Sequence, residues 1–214
     1  MPRTAREVAS LRRPPDETAA LEGFPVRRFS PATELFRVVR RGRGPWWFGS
    51  SMRGRFDLAE PDGTCYLATD EISALLEVMG PDLERGAISS DFLRARSLRK
   101  LRLPEALDLA DLTSREAVRF GITAEIGTLV PYESPQAWAA ALHAAGSPGL
   151  VYWPRHDPAR KVTVALFGLH GERKKWKRGR EAAISPALIK RLHEECGIEV
   201  LDVPRAEELI LLGD

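Results

Sequence analysis

The segment PDGTCYLATDEISALLEVMGP, residues 61–81, constrains the fold most, because it passes from strand to helix with no linker. After the turn at Pro61-Asp62-Gly63, TCYLAT places Cys65 and Leu67 on one face and Tyr66 and Ala68 on the other, the two-residue period of a strand. EISALLEVM then takes up the helical period, with Ile72, Leu75, Leu76 and Met79 on one stripe and Ser73 and Glu77 sharing a different face. Thr69 or Asp70 can cap this helix by accepting backbone N–H bonds, and Gly80-Pro81 stops it. Short strands alternating in this way with amphipathic helices predict a mixed α/β or α+β domain.

The other runs fit that class. LFRVVR at 35–40 reads as a strand entering a long loop, RGRGPWWFGSSMRGR. VTVALFG is the most strand-like run, and with LVYW across the polar loop PRHDPARK it predicts a central hairpin. A helix is expected over 83–95, a strand pair in SLRKLRL and ALDLADL broken at Pro104, and a short helix over 114–120. Ser134-Pro135 is expected to cap a helix over 136–145. Ser185-Pro186 opens a last helix, lined on one side by Leu188, Ile189, Leu192 and Cys196 and closed by Gly197, before a final short strand in IEVLDV. Residues 1–30 are weakly periodic and read as an arm, with one helical turn in ETAALEGF; residues 31–214 read as a single domain.

Composition excludes several classes. Two cysteines, Cys65 and Cys196, are too few for a disulfide-stapled scaffold, and the start MPRTAREVAS lacks the apolar stretch of a secretory signal, so a cytoplasmic location is expected. No run approaches the eighteen apolar residues of a membrane span. CxxC and HExxH spacings are absent and the four histidines are scattered, so no metal is expected. The end of KRLHEECGIEV matches only part of the Nudix motif, with Arg191 where a metal-holding glutamate is needed, and reads as a capped helix.

The formal charge is +2, yet six of the basic residues lie within 173–180, leaving the remainder net negative. This basic loop, 172–180, could contact a phosphate backbone, an acidic partner or a second subunit, or be simply solvated. No recognition helix or finger spacing accompanies it, so direct nucleic-acid binding is not expected.

Candidate site residues fall in two regions. Arg37, Arg53, Arg55, Tyr66 and Glu77 lie at the ends or faces of adjoining elements; arginine forks and glycine-rich backbone suit a nucleotide phosphate. Glu77 either projects from its helix into a partly desolvated cavity or sits on the wet face, bonded to Ser73 or an arginine. Arg55 is either a ligand or a surface charge, and Tyr66 is either core or site. Trp46 and Trp47 could cap the core, stack on a base or meet a partner. In the second region, Arg155 is the ligand candidate, while Asp157 could fix the turn before Pro158 by accepting backbone N–H bonds.

Taken together, Arg37, GRFDLAEPDGTCYLATDEISALLEV and GLVYWPRHDPARKVTVALFG resemble the RES-domain family over about residues 35–168. The resemblance implies a compact α+β domain similar to ADP-ribosyltransferases, acting on NAD as substrate, without metal, as toxin of a toxin–antitoxin pair. It implies that Arg37 and Arg55 grip the pyrophosphate or ribose, that Tyr66 lines the nicotinamide side, and that Glu77 holds ribose hydroxyls and stabilises oxocarbenium charge. Trp47 and Arg155 join them as cofactor-binding candidates. Water, inorganic phosphate or a protein could accept the ADP-ribosyl group, and a helix-turn-helix antitoxin and a homodimer are the implied partners. The chain departs from the family at Pro154, which stands where the family has a serine and supplies neither hydroxyl nor N–H. Ser50, Ser51 or a water could compensate; otherwise the chain would be a catalytically weakened nucleotide- or protein-binding accessory.

Overall fold

An eight-stranded mixed sheet organises the chain. The structure is a computed structural model that describes residues 11–202; the first ten residues of the expected arm and those beyond 202 lie outside the described part. In chain order, a 3-10 turn at Thr18–Leu21 precedes β1 (Val26–Phe29), β2 (Leu35–Arg40), β3 (Trp47–Phe48), β4 (Asp62–Ala68) and helix α1 (Glu71–Met79). Then come β5 (Ala87–Ser89), α2 (Ser90–Arg94), β6 (Arg96–Leu101), β7 (Leu107–Asp111), α3 (Glu133–Ala144), β8 (Gly149–Tyr152) and β9 (Thr163–Leu169). The last elements are β10 (Gly171–Glu172), β11 (Arg180–Ala183), α4 (Pro186–Cys196) and β12 (Glu199–Leu201). The sheet order is β1-β7-β8-β9-β4-β2-β6-β11, antiparallel except for β7 beside β8.

The strand–helix unit at residues 61–81 forms as its pattern requires. Asp70 caps α1, accepting from the backbone N–H of Ile72 at 2.9 Å and of Ser73 at 3.1 Å. Ile72, Leu75, Leu76 and Met79 are buried against Phe36, Val38 and Leu98 of β2 and β6 and against Leu188 and Leu192 of α4, each contributing roughly 2 kcal/mol. Cys65 and Leu67 enter a second cluster on the opposite sheet face, with Trp46, Phe48 and Val164. A third cluster, around Trp138 and Leu142 of α3, covers the Tyr66 side of β8 and β9.

Strand alternation puts Tyr66 and Ala68 on one face, yet Tyr66 packs with the α3 cluster and Ala68 with the α1 cluster. The two clusters therefore meet over β4. There the sheet is thinly joined: β4 pairs with β9 along seven residues but with β2 only at Phe36↔Ala68.

Several expectations are corrected. The helix over 83–95 is replaced by a 3-10 turn at Gly80–Arg85, β5 and α2, because Gly86 closes the turn and the Ser89 hydroxyl accepts from the Phe92 N–H to start a new helix. SLRKLRL and ALDLADL are both strands, but they do not pair: β6 lies between β2 and β11, and β7 between β1 and β8. Helix α3 begins at Glu133 without a side-chain cap, and Pro135 sits within its first turn, where a missing N–H costs nothing. Cys196 is exposed, because α4 leaves the core in its last turn as Gly197, at φ +67°, closes it. Val26–Phe29, at the end of the segment read as an arm, forms the edge strand β1, and Leu11 and Leu21 pack into the α3 cluster.

The basic segment is tied to the loop before β3: the Arg173 N–H donates to the Trp46 carbonyl at 3.0 Å. Trp176 packs edge-on against Trp46 at 4.9 Å, and the Trp46 indole donates to the Lys177 carbonyl at 2.8 Å. Lys174, Lys175 and Lys177 around it are exposed. Among the described residues, no helix is long and apolar enough to cross a membrane.

Candidate active site

A cleft of about 770 Å³ opens where the α1 and α3 clusters meet over β4, within the size range of small-ligand sites. Its wall takes Arg53 and Arg55 from the loop after β3, Tyr66 from β4, Glu77 from α1, Tyr132 from the approach to α3, Tyr152 from β8, and Arg155 and His156 from the β8–β9 loop. Arg55, Tyr66 and Glu77, carried by a loop, a strand and a helix in turn, are thus brought together.

Arg55 is only 8% exposed. Its Nη1 donates to the Leu129 carbonyl at 2.7 Å and its guanidinium lies 4.6 Å from the centre of the Tyr132 ring. Burial pushes its pKa down, and the neighbouring tyrosines and Glu77 oppose that shift. The loop behind it is fixed by Asp57, which accepts from the Gly54 N–H at 2.9 Å and the Ser51 hydroxyl at 3.1 Å, and by Gln136, which donates to the Met52 and Gly54 carbonyls at 3.0 Å. Gly54 has no room for a side chain: a Cβ would lie 2.3 Å from Asp57 Oδ1 and 2.6 Å from the Tyr66 hydroxyl.

The Tyr66 hydroxyl points at this loop. It donates to Asp57 Oδ1 at 2.9 Å and accepts from the Phe56 N–H at 2.9 Å. Burial and the Asp57 carboxylate hold its pKa well above the ordinary value. Its hydroxyl is therefore spent on the loop, and Tyr66 contributes ring surface to the cleft.

Glu77 is half-buried and faces the cleft, and among the described residues no hydrogen bond ties its carboxylate to the protein. Ser73, its neighbour one helical turn earlier, donates instead to Asp157. Burial raises the Glu77 pKa to about 7; Asp157 adds to the rise and Arg55 opposes it. A carboxyl that changes charge near neutrality beside a buried guanidinium can stabilise a developing cation in the cleft.

The other candidates are placed differently. Arg37 reaches the cleft wall, but its Nη1 donates to the Pro45 carbonyl at 2.5 Å, the Trp47 carbonyl at 3.1 Å and Cys65 Sγ at 2.9 Å, so its guanidinium holds the loop behind β2. Trp46 is core at 1% exposure, whereas Trp47 is 48% exposed, stands 5.5 Å from His170 and is not part of the cleft wall. Arg155 is exposed at the cleft, and His156 beside it has its pKa lowered by burial, Arg155 and Arg55. Pro154 is buried outside the wall, and Ser50 and Ser51 are bonded to Glu60 and Asp57, away from the cleft. Tyr132 and Asp57 carry no signal in the sequence, Tyr132 because it lies in an irregular stretch with no pattern, while Tyr152 opens the second candidate region at the end of β8. Among the described residues, no cluster of three His, Cys, Asp or Glu could hold a metal ion.

The RES domain family model matches residues 34–184. No curated protein matches the chain. Among solved structures, the crystal structure of the M. tuberculosis MbcT–MbcA toxin–antitoxin complex is similar at TM-score 0.65 and 15% identity, covering 83% of this chain and 96% of the matched one. That likeness extends the shared fold beyond the residues the family model matches.

Proposed function

Because the chain belongs to the RES-domain family, we propose that it degrades NAD by cleaving the nicotinamide–ribose bond, with inorganic phosphate or water as acceptor, and that it is the toxin of a toxin–antitoxin pair. The observation that supports this reading is the convergence of Arg55, Tyr66 and Glu77 on one cleft. Nicotinamide is a cationic leaving group, and as its bond to ribose lengthens the positive charge passes to the sugar. The Glu77 carboxylate stabilises that charge, and the Tyr66 ring packs beside the nicotinamide. Arg55 uses one guanidinium nitrogen on Leu129, which leaves donors for ribose or pyrophosphate oxygens, and Arg155 meets the same oxygens from the cleft edge. Positioning supplies the rest of the rate, and no metal takes part. The solved structure of similar fold contains an antitoxin; here a helix-turn-helix antitoxin would cover the cleft.

The test is direct: purified protein is incubated with NAD, with and without phosphate, while nicotinamide, ADP-ribose and its 1-phosphate are followed. A carboxyl with pKa about 7 must lose its proton to act, so release should rise with pH, about tenfold between pH 6 and pH 8. Folded protein without turnover would refute the reading. Pro154 favours a second one, a binding accessory, for which calorimetry would show NAD or ADP-ribose bound without nicotinamide release.

A further inference from the structure

A buried carboxylate that is not part of the cleft wall, Asp157, connects two elements that are. Asp157 is 5% exposed and Ser73 fully buried. The Ser73 hydroxyl donates to Asp157 Oδ2, the Ala159 N–H donates to Oδ1 at 2.9 Å, and the Asp157 carbonyl accepts from the Arg160 N–H at 3.0 Å. One residue thus closes its own turn and binds α1 exactly one helical turn before Glu77. The turn belongs to the loop that brings Arg155 and His156 to the cleft.

Among the described residues, no cation forms an ion pair with Asp157. A buried charge is costly when unpaired, and an asparagine could make both side-chain contacts without that cost. What the charge does, and a neutral isostere cannot, is act on its surroundings.

Resting on the NAD-cleaving reading above, we propose that Asp157 is a positioning residue of the cleft, holding the Arg155–His156 loop against the helix turn that carries Glu77 and placing its own carboxylate close to that of Glu77. The charged and titratable groups that line the cleft with Glu77 are Arg37 of β2, Arg53 and Arg55 of the loop after β3, Tyr66 of β4, Tyr132 before α3, Tyr152 of β8, and Arg155 and His156 of the β8–β9 loop; of the groups around it, Arg55 and Asp157 act on its charge. Arg55 draws Glu77 towards ionisation. Asp157 works against it, and Tyr152 and His156 stay neutral near pH 7, Tyr152 because burial holds its pKa well up and His156 because burial pushes its pKa down. The exposed Cys196 of α4 also feels Asp157 but lies outside the cleft wall.

Two variants separate the tether from the charge. Asp157→Asn keeps hydrogen-bonding capacity toward Ser73 and Ala159 and removes the charge. Ser73→Ala keeps the charge and removes the tether. The readout is NMR on the full chain without substrate: titration of the Glu77 side-chain carboxyl and exchange of the Ala159 and Arg160 amides. In Asp157→Asn the Glu77 midpoint should fall by about one pH unit with amide protection retained. In Ser73→Ala the midpoint should stay and the amides should lose protection, with KM for NAD rising several-fold while kcat is largely kept. An unmoved Glu77 midpoint in Asp157→Asn, or unchanged exchange in Ser73→Ala, overturns the proposal. Absence of nicotinamide release by the wild-type chain overturns only the NAD reading, because both NMR readouts are taken without it.

Discussion

Replacing Glu77 with glutamine should make the protein more stable, and by an amount that depends on pH. In the unfolded chain the carboxyl has its ordinary pKa of 4.5; in the cleft it is raised to about 7. Between those values the folded state holds a proton that the unfolded state has released, so stability falls as pH rises through the window and levels off above it. Raising a carboxyl that far is worth about 3 kcal/mol, an upper figure because water in the cleft screens part of it. Glutamine stays neutral and escapes this loss. The gap between Glu77→Gln and wild type should be near zero at pH 4.5 and approach about 3 kcal/mol at pH 8, or roughly 6–12 °C in Tm for a chain of this size. Urea unfolding at both pH values measures it, and the same variant should release no nicotinamide. A stability gap independent of pH, or one that favours wild type at pH 8, would refute the placement of Glu77 in a desolvated cleft facing a second carboxylate.

Two more perturbations test the supports of the site. Gly54→Ala forces a methyl to 2.3 Å from Asp57 Oδ1, so the Tyr66–Asp57 bond must break; a loss of about 2 kcal/mol in urea unfolding and of most nicotinamide release is expected. Trp176→Ala removes the edge contact with Trp46 and should cost about 2 kcal/mol, with a red shift in tryptophan emission, while turnover persists because neither ring is part of the cleft wall.

The elements that were legible in the sequence are those whose causes are local. The cap at Asp70, the stripe of α1 and the alternation of β4 are settled within twenty residues, and so is the β8–β9 hairpin. The stretch 83–95 was misread because β5 is a strand only by virtue of β12, which pairs with it from more than a hundred residues further on. β6 and β7 looked like a pair because they are neighbours in sequence, but each found its partners elsewhere.

The site shows the same division. Glu77 stood out as an acid on an apolar helix, and Arg55 as an arginine between glycine and phenylalanine in a turn-rich loop. The direction of a side chain was not legible. An arginine on β2 reads alike whether its fork enters the cleft or, as with Arg37, clasps the carbonyls of Pro45 and Trp47. Nor could spacing reveal that Ser73 would donate to Asp157 rather than to Glu77, since that bond joins residues 84 positions apart.

The order of strands in the sheet also governs when the cleft comes into being. Among the described residues, only β8 and β9 are consecutive strands paired in one ladder; the other ladders join strands separated by intervening elements, so most loop-closure entropy is spent before the pairing that repays it. During synthesis the ribosome delivers Arg55 and Glu77 early, yet β4 is then held only by a single pair with β2 and by the bridge from Gly49 to Thr64. The long ladder that seats β4, and the loop that supplies the opposite wall, arrive together with β9. A chain that stops before β9 therefore lacks both the ladder that seats β4 and the loop that carries Arg155 and His156, and the cleft gains its second wall only late in translation.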